Sequence, residues 1–391
     1  MKGIREELAA VPAELRRALR IVPHGAEAMI EKEGRRLVNL ATNNYLSLAT
    51  HPEVIEAAVR ALREDGAGAG SSRLILGTSP RVAALEDSLA GLKGTSRALI
   101  FPSGFAAALG AIPALVGKGD GIALEKGCHA SLVTGARLSG ASISVFRRGE
   151  RSTLEKALER LRKRCRRILT VIDGIHSMDG DIAPLPEIIP LVARFESILL
   201  LDDAHATGVL GENGSGTLGH FRMSASENFI VQMGTLSKAL GSQGGFIAAS
   251  GPCIELMIQK SAAFIYTTGI NPAAVGAAQG AIDVMKREPK RIARLARNAV
   301  MVRRAAGIEE IPSPIAPILT GTSERAMEAS RELERAGAYA PAIRPPTVPR
   351  GTARLRLSVQ AAHRMHMEGA ETTPELSFLT VLKEIAHRPR V

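Results

Sequence analysis

Short apolar runs alternate with helical patterns through the middle of the chain. Residues 168–172, 198–201 and 229–233 are apolar runs of strand length, and such runs are typical of parallel strands buried on both faces. Strands that alternate with helices indicate a mostly parallel sheet covered by helices on both sides. We therefore predict an α/β fold built on a mixed, mostly parallel sheet.

Several helices in this pattern have recognisable ends. Ser79 followed by Pro80 predicts a helix start, and Gly94 predicts the end of the same helix. Residues 152–155, Ser-Thr-Leu-Glu, match a capping box and predict a second helix start. The basic stretch 282–304 has the periodicity of one long helix.

Polar residues follow the predicted strands directly. Asp173 comes after the first run, Asp202 after the second, and residues 235–238 after the third. In open parallel sheets, ligands bind beyond the carboxyl ends of the strands. We therefore expect these polar residues to meet at one edge of the sheet.

The pattern changes after about residue 280, where proline-rich stretches separate shorter elements. This change predicts a smaller C-terminal α/β domain. The predicted division is an N-terminal segment (1–45), a large domain (46–280) and a small C-terminal domain (281–391). A chain of 391 residues, 45% of them hydrophobic, is long enough for two packed domains.

Composition narrows the classes of protein. No apolar run approaches the roughly 20 residues of a membrane span, and residues 1–20 lack the apolar block of a signal peptide, so we expect a cytoplasmic protein. The three cysteines, Cys128, Cys165 and Cys253, are far apart, which predicts neither a disulfide framework nor a metal site.

The net charge of +11 attracts polyanions. Nucleic acid is disfavoured because stacking aromatics are scarce, at 3%, and there is no tryptophan. Coenzyme A, an acidic carrier protein or a merely solvated basic face remain as explanations.

Three segments together indicate a cofactor. Gly104 and Phe105 lie where a strand turns into a helix, whose N-terminus can bind a phosphate. Asp202 ends a buried strand, and Lys238 lies among hydroxyls and glycines. A lysine can form a Schiff base, and a carboxylate can keep a pyridinium nitrogen protonated. Each part alone is weak, but the combination predicts pyridoxal 5′-phosphate (PLP).

The same segments resemble the α-oxoamine synthase family of fold-type I PLP-dependent enzymes, acyltransferases that join an amino acid to an acyl thioester with loss of carbon dioxide. The resemblance covers nearly the whole chain. It includes Asn43-Asn-Tyr-Leu46, Gly70-Ser-Ser-Arg73, Phe101-Pro-Ser-Gly-Phe105, His129-Ala-Ser131, Ser177-Met-Asp-Gly-Asp181, Asp202-Asp-Ala-His205, Thr235-Leu-Ser-Lys238 and Phe264-Ile-Tyr-Thr-Thr268.

Residues 343–356 discriminate within the family. This segment is similar to the members that condense L-alanine with a pimeloyl thioester, carried by coenzyme A or acyl carrier protein, in biotin biosynthesis. A glycine-using relative such as 2-amino-3-oxobutyrate CoA ligase is the alternative enzyme. An inactive PLP-fold sensor or regulator is the alternative of another class.

The resemblance implies a role for each matching residue. Lys238 would form the Schiff base and later remove the Cα proton, Asp202 would pair with the ring nitrogen, and His129 would stack on the ring. Other cofactor contacts would come from Gly104, Phe105, Ser177, His205 and Thr235, with Thr267 reaching the site of a neighbouring subunit in a homodimer. Substrate contacts would come from Arg17, Asn43, Thr347 and Arg356, with Arg16 and Arg20 as alternatives to Arg17.

One position departs from the family. His176 precedes Ser177 where the family usually has Phe or Tyr. We expect this side chain either to pack in the interior or to alter contacts with the acyl chain.

Overall fold

The computed structural model describes residues 2–12, 16, 19, 21–225, 229–365 and 374–388. Its strands are β1 (Met29–Lys32), β2 (Arg35–Asn39), β3 (Arg97–Phe101), β4 (Gly121–Glu125), β5 (Ser142–Phe146), β6 (Ile168–Asp173), β7 (Ile198–Asp202), β8 (Ile230–Thr235), β9 (Gly245–Ala249), β10 (Ile315–Gly321), β11 (Ala338–Tyr339), β12 (Ala342–Ile343) and β13 (Ala353–Ser358). Its helices are α1 (Lys2–Ala10), α2 (Pro52–Asp65), α3 (Pro80–Lys93), α4 (Gly104–Leu115), α5 (Ala130–Leu138), α6 (Arg151–Arg162), α7 (Leu185–Arg194), α8 (Thr217–His220), α9 (Gly251–Lys260), α10 (Ala262–Ile265), α11 (Pro272–Arg287), α12 (Lys290–Ala305), α13 (Ser323–Arg335) and α14 (Pro374–Ala386).

Seven strands form the central sheet, in the order β3-β9-β8-β7-β6-β4-β5. Strands β4 to β8 run parallel, whereas β9 is antiparallel to both of its neighbours. Strands β4, β6, β8 and β9 are buried at every position, because helices cover both faces of the sheet. The predicted α/β fold with a mixed, mostly parallel sheet is confirmed.

The predicted ends of α3 are also confirmed. The Ser79 hydroxyl accepts a hydrogen bond from the N–H of Val82, and Gly94 closes the helix in the left-handed conformation. The predicted capping box is wrong, because α6 begins at Arg151 and Ser152 lies inside the helix. Instead, the Thr153 hydroxyl donates to the carbonyl of Glu150 and so supports the turn that precedes the helix.

The single basic helix predicted over residues 282–304 is two helices. Helix α11 ends at Arg287 and α12 begins at Lys290. Pro289 separates them, because proline has no N–H to donate to the preceding turn and restricts the residue before it to non-helical angles. Glu288 accordingly has non-helical backbone angles, with φ −116° and ψ 58°.

Two smaller sheets complete the fold, in the orders β10-β13-β12 and β1-β2-β11. The N–H of Ser358 donates to the carbonyl of Leu40 (2.7 Å), and the N–H of Ala361 donates to the carbonyl of Tyr45 (2.7 Å). These bonds hold the end of β13 beside the segment that follows β2. The domain boundaries at residues 45/46 and 280/281 stay predictions.

Apolar packing joins the C-terminal elements to the central sheet. One continuous cluster of buried side chains includes Ile100 and Phe246 of the sheet, and it extends to Ile315 and Leu355 in the small antiparallel sheet. The opposite face of the central sheet packs against α4, α5 and α9. Among the described residues, no helix is both long enough and apolar enough to cross a membrane.

A buried ion pair connects α3 to the carboxyl end of β7. The Nζ of Lys93 lies 2.7 Å from Oδ2 of Asp203, and neither side chain is exposed. We predict that Lys93→Met lowers the free energy of unfolding by about 3–5 kcal/mol, because it leaves a buried carboxylate without its cation. Denaturant unfolding measures the change.

The matched control is Arg97→Met, which removes the exposed ion pair between Arg97 and Glu255. We expect that variant to lose less than about 1 kcal/mol, because water screens the pair. Equal losses in the two variants would contradict the prediction.

Candidate active site

A cavity of about 210 Å³ lies at the carboxyl-terminal edge of the parallel strands. Its lining includes most of the predicted site residues, namely Gly104, Phe105, His129, Ser177, Asp202, His205, Thr235 and Lys238. Two larger surface grooves, of about 760 and 840 Å³, contain none of the predicted cofactor or substrate residues that the structure describes. The smaller cavity is therefore the candidate site, because it collects the amine, the carboxylate and the histidines.

A chain of hydrogen bonds leads away from the Lys238 amine. Its Nζ lies 2.9 Å from Nε2 of His205, and Nδ1 of His205 lies 2.7 Å from the Tyr45 hydroxyl. The Tyr45 hydroxyl donates in turn to Oδ1 of Asn43 (3.1 Å). This direction assigns the proton of a neutral His205 to Nδ1, which leaves Nε2 to accept from Lys238.

Burial decides the charge of these groups. Desolvation lowers the pKa of Lys238 to about 8, opposed by the charge of Asp202 and assisted by that of Arg356. Lys238 faces the cavity and is half-buried. Desolvation also lowers the pKa of His205 well below its ordinary value, and the positive charge of Lys238 adds to the effect. His205 is therefore neutral, as the hydrogen-bond chain requires.

Two carboxyl groups end neighbouring strands at the cavity. Asp173 of β6 and Asp202 of β7 are directly paired in the sheet register, and both line the cavity. Burial raises the pKa of Asp173 to about 8, and the charges of Asp202 and Glu125 add to the rise. Burial also raises the pKa of Asp202, but the nearby Lys238 opposes that rise. Of the two, Asp202 is therefore better suited to hold a negative charge beside a protonated ring nitrogen.

The N-terminus of α4 forms another wall of the cavity. Ser103 caps this helix, because its hydroxyl accepts from the N–H of Ala106 (3.0 Å). Gly104 and Phe105 precede that N–H and line the cavity, together with the hydroxyl-bearing Thr235 and Ser237. A helix N-terminus with hydroxyl groups beside it is suited to a phosphate.

Arg356 and Asn43 lie beside this network. The Arg356 guanidinium donates to Oδ1 of Asn43 (3.2 Å), to the Tyr45 hydroxyl (3.4 Å) and to the carbonyl of Ser177. Arg356 is thus hydrogen-bonded to Ser177, which lines the cavity, and Asn43 is hydrogen-bonded to Tyr45, which contacts the cavity residue His205. Their role in binding stays a prediction.

Other predicted residues are not brought to the cavity. Thr267 lies half-buried next to the bridge between Ser72 and Thr268, and Thr347 is exposed in the loop between β12 and β13. Arg17 lies outside the described residues, as does the alternative Arg20. Arg16 is described, and its guanidinium donates to carbonyls of the N-terminal segment.

The sequence placed Asp173 and Ser237 at this edge of the sheet but gave them no role in binding, and it did not single out Tyr45. Asp173 carried a usable signal, because it ends a buried strand just as Asp202 does. Ser237 lay inside the segment that pointed to Lys238. Tyr45 could not be assigned from sequence, because its partner His205 is 160 positions away.

His176 does not line the cavity. It is buried, and its Nε2 lies 2.8 Å from Oε2 of Glu125. The structure supports the interior alternative for this residue, although it packs as half of an ion pair and not as an aromatic ring would.

These residues fit PLP. An amine with a lowered pKa faces a buried carboxylate, and a capped helix N-terminus with hydroxyl groups lies across the same cavity. The seven-stranded sheet carries all of these groups on one edge. Fold and site together place the chain in the fold-type I class of PLP-dependent enzymes.

Known proteins agree with this class. The aminotransferase class I and II family matches residues 35–367. A putative 8-amino-7-oxononanoate synthase of Acidiphilium cryptum is 45% identical, over 89% of this chain and 90% of the relative. An 8-amino-7-oxononanoate synthase of Maricaulis maris is also 45% identical, over 89% and 88%. A solved structure of SPT with a PLP internal aldimine superimposes with a TM-score of 0.85 at 30% identity, over 98% of this chain and 96% of that one.

The chain belongs to the aminotransferase class I and II family. Within it, the chain resembles the α-oxoamine synthases, and it is a PLP-dependent acyltransferase.

The turn before α4 depends on a glycine in the neighbouring strand. A Cβ on Gly245 would lie 2.4 Å from the carbonyl oxygen of Ser103 and 2.5 Å from the nitrogen of Gly104. We predict that Gly245→Ala displaces this turn and raises the dissociation constant for PLP by about tenfold or more. Titration of the apo-protein with PLP measures it.

The matched control is Gly251→Ala, where the nearest atoms would lie 3.9 and 4.0 Å from the new Cβ. Its PLP affinity should equal that of the wild type. If Gly245→Ala also binds PLP with unchanged affinity, the turn does not hold the phosphate.

The lowered pKa of Lys238 has a kinetic consequence. Only the unprotonated amine is a nucleophile, and half of the Lys238 side chains are unprotonated at a pH of about 8. We predict that the rate at which apo-protein captures PLP covalently rises with pH and levels off above about 8. Stopped-flow absorbance measures it, with Lys238→Ala as the control that should capture none. A rate that keeps climbing toward the ordinary lysine value of 10.5 would contradict the prediction.

Proposed function

We propose that this protein condenses L-alanine with a pimeloyl thioester, with loss of carbon dioxide, to give 8-amino-7-oxononanoate for biotin biosynthesis. The observation that carries the proposal is the connection from Arg356 through Tyr45 and His205 to Lys238. It joins a carboxylate-binding group to a proton-transfer group. The names of curated relatives that are 45% identical support the choice of reaction.

Arg356 supplies the amino-acid end of the proposed site. Its guanidinium is buried and donates to Asn43 from β13, the middle strand of the C-terminal sheet formed by β10, β13 and β12. A planar guanidinium can bind the two oxygens of a carboxylate with two parallel N–H bonds. Arg356 would therefore hold the alanine carboxylate and so orient its Cα toward Lys238.

Lys238 supplies the base of the proposed reaction. When bound, PLP supplies a ring that accepts the electrons left on the amino-acid Cα. The Lys238 amine takes up the Cα proton, and its lowered pKa makes the unprotonated form available near neutral pH. His205 accepts a hydrogen bond from this amine and thereby holds it in place.

Asp202 and His129 have roles toward the ring in this proposal. Asp202 is buried and lines the cavity, so its carboxylate would hold a proton on the ring nitrogen. His129 caps α5 and is anchored by Ser131 (2.7 Å), which leaves its ring at the cavity wall, where it would stack on the cofactor. Burial lowers the pKa of His129, opposed by the charge of Asp202 and assisted by that of Lys238, so the ring is neutral.

We also propose a homodimer with Thr267 reaching the site of the partner. An exposed apolar surface consisting of Leu74, Ile75, Leu76 and Tyr266 supports it. The bridge between Ser72 and Thr268 holds the two parts of this surface together, next to Thr267. Exposed apolar patches of this kind mark interaction surfaces.

The thioester donor is either pimeloyl-CoA or pimeloyl-acyl carrier protein. Both are polyanions, and the net charge of +11 supports either one through long-range attraction. The same charge does not distinguish them, so both belong in the assay.

The test is an assay of purified holoenzyme with alanine or glycine and with each pimeloyl donor. We predict that alanine and a pimeloyl thioester give 8-amino-7-oxononanoate, measured by mass spectrometry of the product. Arg356→Lys should raise the KM for alanine by about tenfold or more, because an ammonium group cannot make the two parallel bonds.

The matched control is Arg335→Lys, at an exposed position of α13, where the guanidinium donates to the carbonyl of Arg331 in the same helix. That variant should keep the wild-type KM. A preference for glycine with a short acyl thioester would replace the proposed function with that of a glycine-using synthase. A purified protein that binds PLP but turns over no amino acid would favour a sensor.

A further inference from the structure

We infer that His176 is a positioning residue, because its buried ion pair with Glu125 holds the turn that presents Ser177 to the cofactor and receives Arg356. His176 would thus control the affinity for cofactor and amino acid from outside the cavity. The amino-acid part of this inference rests on the proposed function, whereas the cofactor part rests on the site alone.

The ion pair itself is fully interior. Nε2 of His176 lies 2.8 Å from Oε2 of Glu125, and the two side chains are only 2% and 1% exposed. Glu125 ends β4, and the same Oε2 accepts from the backbone N–H of Asp173 at 3.4 Å. The pair therefore ties residue 176 to the ends of two strands of the central sheet.

The backbone of His176 closes the turn over residues 175–182. Its N–H donates to the carbonyl of Asp181 (3.0 Å), and its carbonyl accepts from the N–H of Gly180 (2.8 Å). A bridge between Ile175 and Ile182 closes the base of the same turn. Side chain and backbone of one residue thus hold both the shape of the turn and its attachment to the sheet.

This turn, which we call the Ser177 turn (175–182), contacts both the cavity and the C-terminal sheet. Ser177 lines the cavity, and its carbonyl accepts from Nε of Arg356. Asp179 accepts from Arg354 of the same strand, β13. A shift of the turn would therefore move a predicted cofactor contact and the predicted carboxylate-binding arginine together.

Gly180 shows how closely the turn fits. It has a φ of +74°, and a Cβ at this position would lie 2.3 Å from the carbonyl oxygen of Ile315 in β10. The turn is thus packed against the small sheet on one side and tied to Glu125 on the other. Loss of the His176 side chain would free only the second attachment.

The charges around His176 favour its protonated form. Burial acts to lower the pKa of His176, but the hydrogen bond and charge of Glu125, with the charge of Asp173, raise it overall. Arg148 opposes them from the segment after β5, and a positive charge on His176 also acts on the buried His205. Because the pKa of His176 is raised by folding, the ion pair stabilises the folded protein fully at a pH below the ordinary histidine pKa. This stabilisation is lost as the pH rises through the pKa that His176 has in the folded protein.

The first experiment measures PLP affinity of apo-protein and the KM for alanine in His176→Phe, Glu125→Gln and the double variant. We expect each single substitution to lower the affinity for PLP by about tenfold and to raise the KM for alanine by about tenfold, with a smaller change in kcat. Since the two residues act through one contact, the double variant should lose much less than the product of the two single losses.

The matched control is Leu158→Ala, which opens a cavity beneath the buried face of α6 and destabilises the protein at a position outside the Ser177 turn. Its PLP affinity should stay within about twofold of the wild type. If His176→Phe lowers the melting temperature as Leu158→Ala does but binds PLP and alanine like the wild type, the inference is wrong.

A second measurement does not depend on the His176→Phe variant folding. Nuclear magnetic resonance of the apo-protein should show one histidine that titrates above the ordinary value and shifts downward in Glu125→Gln. The ratio of PLP dissociation constants between Glu125→Gln and the wild type should fall toward one above that midpoint, because the wild type has then lost the ion pair. A ratio constant across that midpoint overturns the inference.

These outcomes are separable from the proposed function. If the wild type makes no 8-amino-7-oxononanoate while the His176 and Glu125 variants still lose PLP affinity, the proposed function fails and the positioning role stands. If the product forms and PLP affinity is unaffected by both substitutions, the positioning role fails alone.

Discussion

The removal of charged groups from water at one edge of the central sheet is the constraint on which the site depends. Parallel strands β6, β7 and β8 end together there, so Asp173, Asp202 and the segment leading to Lys238 share one partly closed space. Burial in this space raises the pKa of the carboxyl groups and lowers the pKa of the amine, because it disfavours the charged form of each. The same desolvation that opposes charge on Asp173 also makes the Lys238 amine available as a nucleophile and as a base.

The second requirement is that two distant parts of the chain meet at this edge. Backbone bonds from Ser358 to Leu40 and from Ala361 to Tyr45 align β13 with the segment after β2. Arg356 is carried to Tyr45 by that alignment, and the Ser177 turn closes the gap between the sheets. The buried pair of Glu125 and His176 supports this turn from the protein interior. The proposed control of the affinity for cofactor and amino acid therefore comes from a contact outside the cavity.

Local patterns predicted much of this protein, and their failures have physical causes. The ends of α3 and the buried strands were predictable, because capping and hydrophobic periodicity act over a few residues. The capping box at Ser152 was wrong because Thr153 supports the preceding turn instead. The long basic helix was wrong because Pro289 interrupts a pattern whose periodicity otherwise continues. Tyr45 was missed because hydrogen bonding to a residue 160 positions away leaves no local pattern.

The sequence by itself determined the class of fold and the chemical types at the site. Asp202 ends one strand and Lys238 follows the end of another, wherever the strands are placed, and a strand-to-helix turn carries Gly104 and Phe105. Only the tertiary structure decided which groups share a hydrogen bond and which charge each one holds. Hydrogen bonds act over about 3 Å and desolvation depends on every neighbouring atom, so both are set by packing between segments far apart in the chain. His176 is the clearest case, because its partner Glu125 is 51 positions away and only the packing of the Ser177 turn beside the end of β4 brings the two together.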